Sequence, residues 1–174
     1  MSAIEVIGPL LPGVARGAIL AWASGRARAD LAHPGAPRMP VFVTLREPGG
    51  SLRGCIGALT AVEADVVAET RRSAVLAASC DPRFSPVRAE EVAGLRIEVS
   101  VLLEPEPVAD FRDLDPKRYG LIVRGRTGKK ALLLPEVPGI GDARLQIAVT
   151  RDKAGLSADE PAVLSRFEVR KFVE

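Results

Sequence analysis

The chain is 174 residues long, with 47% hydrophobic and 26% charged residues, enough apolar material for one sizeable domain or two small lobes sharing a core. Lys and Arg total 24 against 22 Asp and Glu, a net charge of +2 that does not suggest a nucleic-acid binder, which usually shows a clustered basic surplus. Two cysteines, one histidine and no uninterrupted apolar stretch of about 18 residues argue against a disulfide framework, a structural zinc site and a membrane span.

The N-terminal apolar run carries Glu5, Pro9 and Pro12 and no basic segment ahead of it, so no signal peptide is expected. Free thiols without an export signal predict a cytoplasmic protein. Residues 11–24 are predicted to form an amphipathic helix, with Pro12 in its first turn and Gly25 closing it. Leu11, Ala15, Ala18 and Trp22 recur at helical spacing and are expected to face the core. Residues 30–40 hold three prolines and a glycine and read as a loop. His33 lies there, either as an exposed loop histidine or as a catalytic base.

Val41–Leu45 reads as a strand, Pro48-Gly49-Gly50 as a turn, and Leu52–Ala58 as the returning strand of a hairpin. A helix from about Val62 to Ser79 follows, with Val62, Val66, Thr70, Ala74 and Ala77 or Ala78 on one stripe; Asp81-Pro82 stops it. Leu95–Leu103 alternates cleanly and predicts a strand with one buried face. The segment from Glu104 to Val108 ends a larger N-terminal lobe, about 1–108, and a smaller lobe takes about 109–174. Tyr119–Val123 and Lys129–Leu134 read as a second hairpin around Arg126-Thr127-Gly128. The basic cluster Arg124–Lys130 is then a solvated tip, with an anion or RNA contact as the alternative. Leu134–Gly139 leaves the sheet, residues 143–154 are predicted helical with Gly155 closing them, although Leu145, Ile147 and Val149 would also fit a strand, and Phe167–Val173 is a final strand. Hairpins with interspersed helices predict an α+β fold, with packed helices on antiparallel or mixed sheets.

Chemistry concentrates in Leu52-Arg53-Gly54-Cys55-Ile56-Gly57. Strict alternation puts Leu52, Gly54 and Ile56 on one face and Arg53, Cys55 and Gly57 on the other. Arg53 and Cys55 would then be neighbours, about 7 Å apart. A guanidinium beside a thiol stabilises the thiolate. Gly54 and Gly57 weaken a strand and often mark close approach by a ligand or another backbone. The competing reading is a packed cysteine, with Arg53 in a structural ion pair to Glu98 or Asp81. In Cys80-Asp81-Pro82-Arg83-Phe84, Asp81 can orient a neighbour or act as a base and Arg83 can bind an anion. The alternative there is an Asx-Pro turn anchored by Phe84 in the core. A mononuclear metal site using Cys55, Cys80 and carboxylates is a minor alternative to no metal.

These residues resemble the signature of the AMMECR family. The similarity continues through Asp81-Pro82-Arg83-Phe84, Glu91, Val99-Ser100-Val101-Leu102, Tyr119-Gly120-Leu121, Leu134-Pro135-Glu136-Val137, Lys153-Ala154-Gly155-Leu156 and Arg166-Phe167, in order along nearly the whole chain. The resemblance implies a two-lobed α+β fold with the signature near the groove between lobes. It also implies association, in prokaryotes, with a Memo-like protein and a radical S-adenosylmethionine enzyme. It brings no established reaction and no cofactor with it. The tryptophan usual after Leu-Pro-Glu-Val is replaced by Gly139-Ile140-Gly141-Asp142, and the loop before the signature is short.

The function expected is an enzyme, or an enzyme component, acting on a small polar or anionic metabolite. Cys55 would be the nucleophile or thiol ligand, Arg53 the thiolate stabiliser or anion clamp, and Asp81 the orienter or base. Gly54, Gly57, Arg83, Glu136 and Lys153 would help to bind the substrate. With only His33 available, Cys-His catalysis is disfavoured. The alternative is a non-catalytic adaptor whose signature hairpin forms a partner-binding surface. Nucleic acid is disfavoured by charge and by 4% aromatic content.

Overall fold

A computed structural model describes residues 2–26 and 33–174. The expected loop before His33 lies partly outside the described residues. The chain divides into two compact units, Met1–Leu102 with Arg170–Glu174, and Leu103–Val169.

The first unit begins with α1 (Ala3–Ile7), a 3-10 turn at Gly8–Leu10 and α2 (Leu11–Ala23). Pro12 falls in the first turn of α2, where its missing N–H costs nothing. Ile4, Leu11, Ala15 and Ile19 enter the core. Trp22 instead stays 37% exposed, and Ile19 and Ala23 take the core-facing positions of the last turns. The run Ala3–Ala23 is continuous over 21 residues, with mean hydropathy 1.5. By length and composition alone it could cross a membrane, which counting uninterrupted apolar residues did not anticipate. Its inward face is packed into the first core.

β1 (Val41–Arg46) and β2 (Leu52–Gly57) form the expected hairpin and pair antiparallel. β3 (Arg96–Leu102) takes the other side of β1. Between them α3 runs only from Val66 to Ser79. It starts later than predicted because the Asp65 carboxylate accepts the Val67 and Ala68 N–H groups, both at 2.9 Å, and so caps the helix. Val62 is therefore outside the helix and 56% exposed. The buried Glu69 carboxylate, reaching back to the N–H groups of Val62 and Glu63 at 2.6 and 2.8 Å, pins that entry segment.

The first sheet has the order β2-β1-β3-β8, where β8 is Val169–Val173. Val41, Val43, Leu45, Ile97, Val99 and Val101 form one face and join Val66, Ala74 and Ala77 of α3 in the core. Phe42, Thr44, Cys55, Glu98 and Ser100 belong to the opposite face by register. The terminal segment is thus not one strand of the smaller lobe. β7 (Ala162–Phe167) belongs to the second unit, and β8 returns to the first.

The second unit contains β4 (Glu106–Pro107), β5 (Gly120–Gly125), β6 (Lys130–Leu133), α4 (Ala143–Lys153) and β7, with sheet order β4-β7-β5-β6. Leu114, Leu121, Val123 and Leu156 fill its core, with Ile147 of α4 packed against them. Asp142 caps α4 through the Leu145 N–H at 2.9 Å, and Gly155 adopts φ +67° beyond the helix end. The hairpin β5–β6 is antiparallel as predicted.

Candidate functional site

The hairpin register is regular from Gly57 to Gly54, opposite Phe42 to Leu45. It then breaks: Leu45 faces Gly54 but Arg46 faces Leu52. Arg53 is therefore the extra residue of a β-bulge, and a bulge re-aims its side chain. This overturns the strict alternation expected for the strand. The Arg53 Nε donates to Glu91 Oε1 at 3.1 Å, and its Nη1 donates to the Ser85 carbonyl at 2.9 Å. The Pro86 carbonyl accepts a weaker contact from Nη2 at 3.5 Å. The Arg53 side chain is buried, and its partner is Glu91 rather than Glu98 or Asp81. Glu91 is held below the ordinary glutamate range, first by the Arg88 N–H and then, against the cost of burial, by Arg53. Arg53 is thus a clamp between β2 and the 85–91 segment.

The cation tied to Cys55 is Arg83. Asp81 follows the end of α3 and is buried. Its Oδ2 accepts the Cys55 backbone N–H at 2.8 Å and Arg83 Nη2 at 2.7 Å. Its Oδ1 accepts Arg83 Nε at 2.9 Å and the Arg83 backbone N–H at 3.1 Å. Four donors on one carboxylate favour its ionised form. The Arg83 side chain, offset by burial and assisted by the Cys55 and Arg83 amides, brings Asp81 down to about 2. Arg83 is raised in turn, mainly by Asp81, with the charge of a Cys55 thiolate contributing in the same direction. The Asp81 side chain is 3% exposed and that of Arg83 55% exposed. The pair therefore offers a fixed guanidinium to solvent. Phe84 is not a core anchor; it is half-buried, with the Arg83 guanidinium 5.5 Å from its ring centroid.

Cys55 is half-buried and is not in a disulfide. Its Sγ lies 3.3 Å from the Thr44 Oγ1. Thr44 is the cross-strand partner of Cys55, and Glu98 of β3 is the next residue in that row. Thr44 was missed by sequence reasoning; the hairpin register held the only signal. Cys80 is exposed, with its sulfur 3.2 Å from the Ser79 hydroxyl. Among the described residues no group of three His, Cys, Asp or Glu could hold a metal. His33 is exposed, and its backbone N–H reaches Asp65 at 3.4 Å.

The remaining expected site residues have local tasks. A Cβ on Gly54 would meet the Ala77 carbonyl oxygen at 2.3 Å, and one on Gly57 would meet that of Val41 at 2.3 Å. Backbone packing thus accounts for both glycines. Lys153 belongs to the second unit, where its ammonium donates to the Leu132 carbonyl at 3.1 Å and so covers the edge of β6. Glu136 is exposed in the same unit, and its φ of +59° is unusual for a residue other than glycine.

The AMMECR1 family model matches residues 13–172. The chain is 39% identical to a Thermotoga maritima protein over 136 residues, 78% of each chain. It is also 39% identical, over 135 residues, to a Clostridium acetobutylicum protein, covering 77% of this chain but only 28% of that one. The crystal structure of the uncharacterized protein PH0010 from Pyrococcus horikoshii superposes with a TM-score of 0.84 at 36% identity, over 96% of this chain and 91% of that one.

Proposed function

Because the chain belongs to the AMMECR1 family, we propose from its own geometry that it is an enzyme, or an enzyme component, that engages a small anionic metabolite at Cys55. The observation that carries this reading is the Asp81 carboxylate, which ties the Cys55 amide to the half-exposed Arg83 guanidinium. In this reading Arg83 receives the anionic group and Cys55 is the thiol that meets the ligand's electrophilic centre. Asp81 orients both. A carboxylate held at about 2 is a weak base at neutral pH, so Asp81 is a positioning residue and not the proton acceptor. Arg53 supports the strand from behind through Glu91.

The test is protection of Cys55 by small anions. Oxalate, citrate and inorganic phosphate are added while Cys55 is modified by a neutral maleimide in a Cys80→Ser background. At least one anion should slow modification in a saturable way, and Arg83→Gln should abolish that protection. Protection that persists in Arg83→Gln, or none with any anion, sinks the proposal.

A second reading, a non-catalytic adaptor, is supported by the Clostridium relative, in which the matching region is one part of a much longer chain. A Memo-like protein or a radical S-adenosylmethionine enzyme is the partner proposed. Co-purification with either that survives Cys55→Ala, while the anion test fails, would favour the adaptor.

A further inference from the structure

The hairpin β5–β6 carries a second feature that the Cys55 site does not use. Register places Arg124 directly opposite Lys130. Like charges facing each other across an antiparallel pair repel and weaken it. Arg126 follows at the tip, which turns through Gly128 at φ +83°. All three cations are exposed. Lys129, beside them, is neutralised: it donates to the Gly155 carbonyl at 2.8 Å and lies 3.6 Å from Glu160. Among the described residues, the side chains of Arg124, Arg126 and Lys130 have no ion-pair or hydrogen-bond partner.

Two of these charges, Arg124 and Arg126, border a cavity. About 200 Å³ of space is lined by Arg124, Gly125 and Arg126 on one side and by Pro161, Ala162 and Val163 of the β7 end on the other. Val163 is the opposite cross-strand neighbour of Arg124 and is 66% exposed. One wall is therefore cationic and the other apolar. An arrangement that costs stability while empty is relieved by a bound counter-ion. Two guanidinium forks suit the oxygens of a phosphoryl group, which they can grip in bidentate fashion.

We propose that this end of the β5–β6 hairpin is a binding site for the phosphoryl group of a small organophosphate, whose organic part lies on the Pro161–Val163 wall. The volume suits a compact ligand better than a polymer. Arg124 and Arg126, the two guanidinium groups of the cationic wall, are the gripping pair, and Lys130, opposite Arg124 in register, adds positive charge beside them.

The test titrates the full chain with AMP and with inorganic phosphate at constant ionic strength, read by backbone amide shifts and by thermal midpoint. AMP should bind saturably, shift the amides of residues 124–130 and 161–163, and bind more tightly than inorganic phosphate. The double variant Arg124→Gln/Arg126→Gln should weaken AMP by tenfold or more, at least the loss of one charge-assisted contact. Without ligand, Lys130→Gln alone should raise the thermal midpoint, because it removes the facing charge. Absence of saturable binding, or equal AMP affinity in the double variant, overturns the proposal. So does an affinity for 5′-phosphorylated RNA that grows with oligonucleotide length and exceeds that for AMP, which would mark a polymer-binding face. These results are independent of Cys55 reactivity.

Discussion

Asp81→Asn removes one charge and leaves the side chain's shape. In the folded protein Asp81 titrates at about 2, against an ordinary 3.8. That gap is worth about 2 kcal/mol of stability at neutral pH. A carboxylate whose folded value is depressed stabilises the fold at pH above its unfolded value. The contribution fades as pH falls through 3.8 toward 2. Asparagine mimics the protonated state at every pH. Wild type should therefore exceed Asp81→Asn by about 2 kcal/mol at pH 7, or about 4–8 °C in thermal midpoint for a chain of this size. The difference should shrink steadily between about pH 5 and pH 2. Urea unfolding of both proteins across that range is the assay. A difference below about 0.5 kcal/mol at pH 7, or one that stays constant with pH, would refute the four-donor reading of this carboxylate.

Gly54→Ala should destabilise by about 1–3 kcal/mol in urea unfolding, because the added methyl meets the Ala77 carbonyl oxygen at 2.3 Å. Glu91→Ala strands the buried Arg53 guanidinium and should cost about 2–4 kcal/mol; the double variant Arg53→Met/Glu91→Ala should recover part of that loss. Lys153→Met removes a cap on the Leu132 carbonyl and should cost about 1 kcal/mol without changing the modification rate of Cys55. Glu136→Gly relieves a left-handed backbone at φ +59° and should raise the thermal midpoint, an effect of about 1 kcal/mol.

Much of the fold follows from local pattern. β-branched residues around Pro48-Gly49-Gly50 specified the first hairpin, and the alternation of Leu95, Ile97, Val99 and Val101 specified β3. The misses have physical causes. The start of α3 depended on which polar residue reached two free N–H groups, and Asp65 won over an apolar stripe beginning at Val62. The split of the last strand at Glu168 left no mark, because Phe167 and Val169 are both apolar although they serve different sheets. At the site, the residue types were legible but the partnership was not. One extra residue in β2 swung Arg53 to Glu91 and left Arg83, 28 positions after Cys55, as the cation held by Asp81. A bulge is a property of pairing, and no single strand announces it.

The most direct measurement is the order in which the two thiols of the wild-type protein react with iodoacetate, an anionic alkylating agent, mapped by peptide mass at neutral pH. Cys80 is the more exposed of the two, so accessibility alone favours it. With Arg83 drawing the reagent's carboxylate to the half-buried sulfur, Cys55 is labelled first, and Arg83→Gln reverses the order. Labelling of Cys80 first in the wild type, at a rate ratio that Arg83→Gln leaves unchanged, would contradict the account.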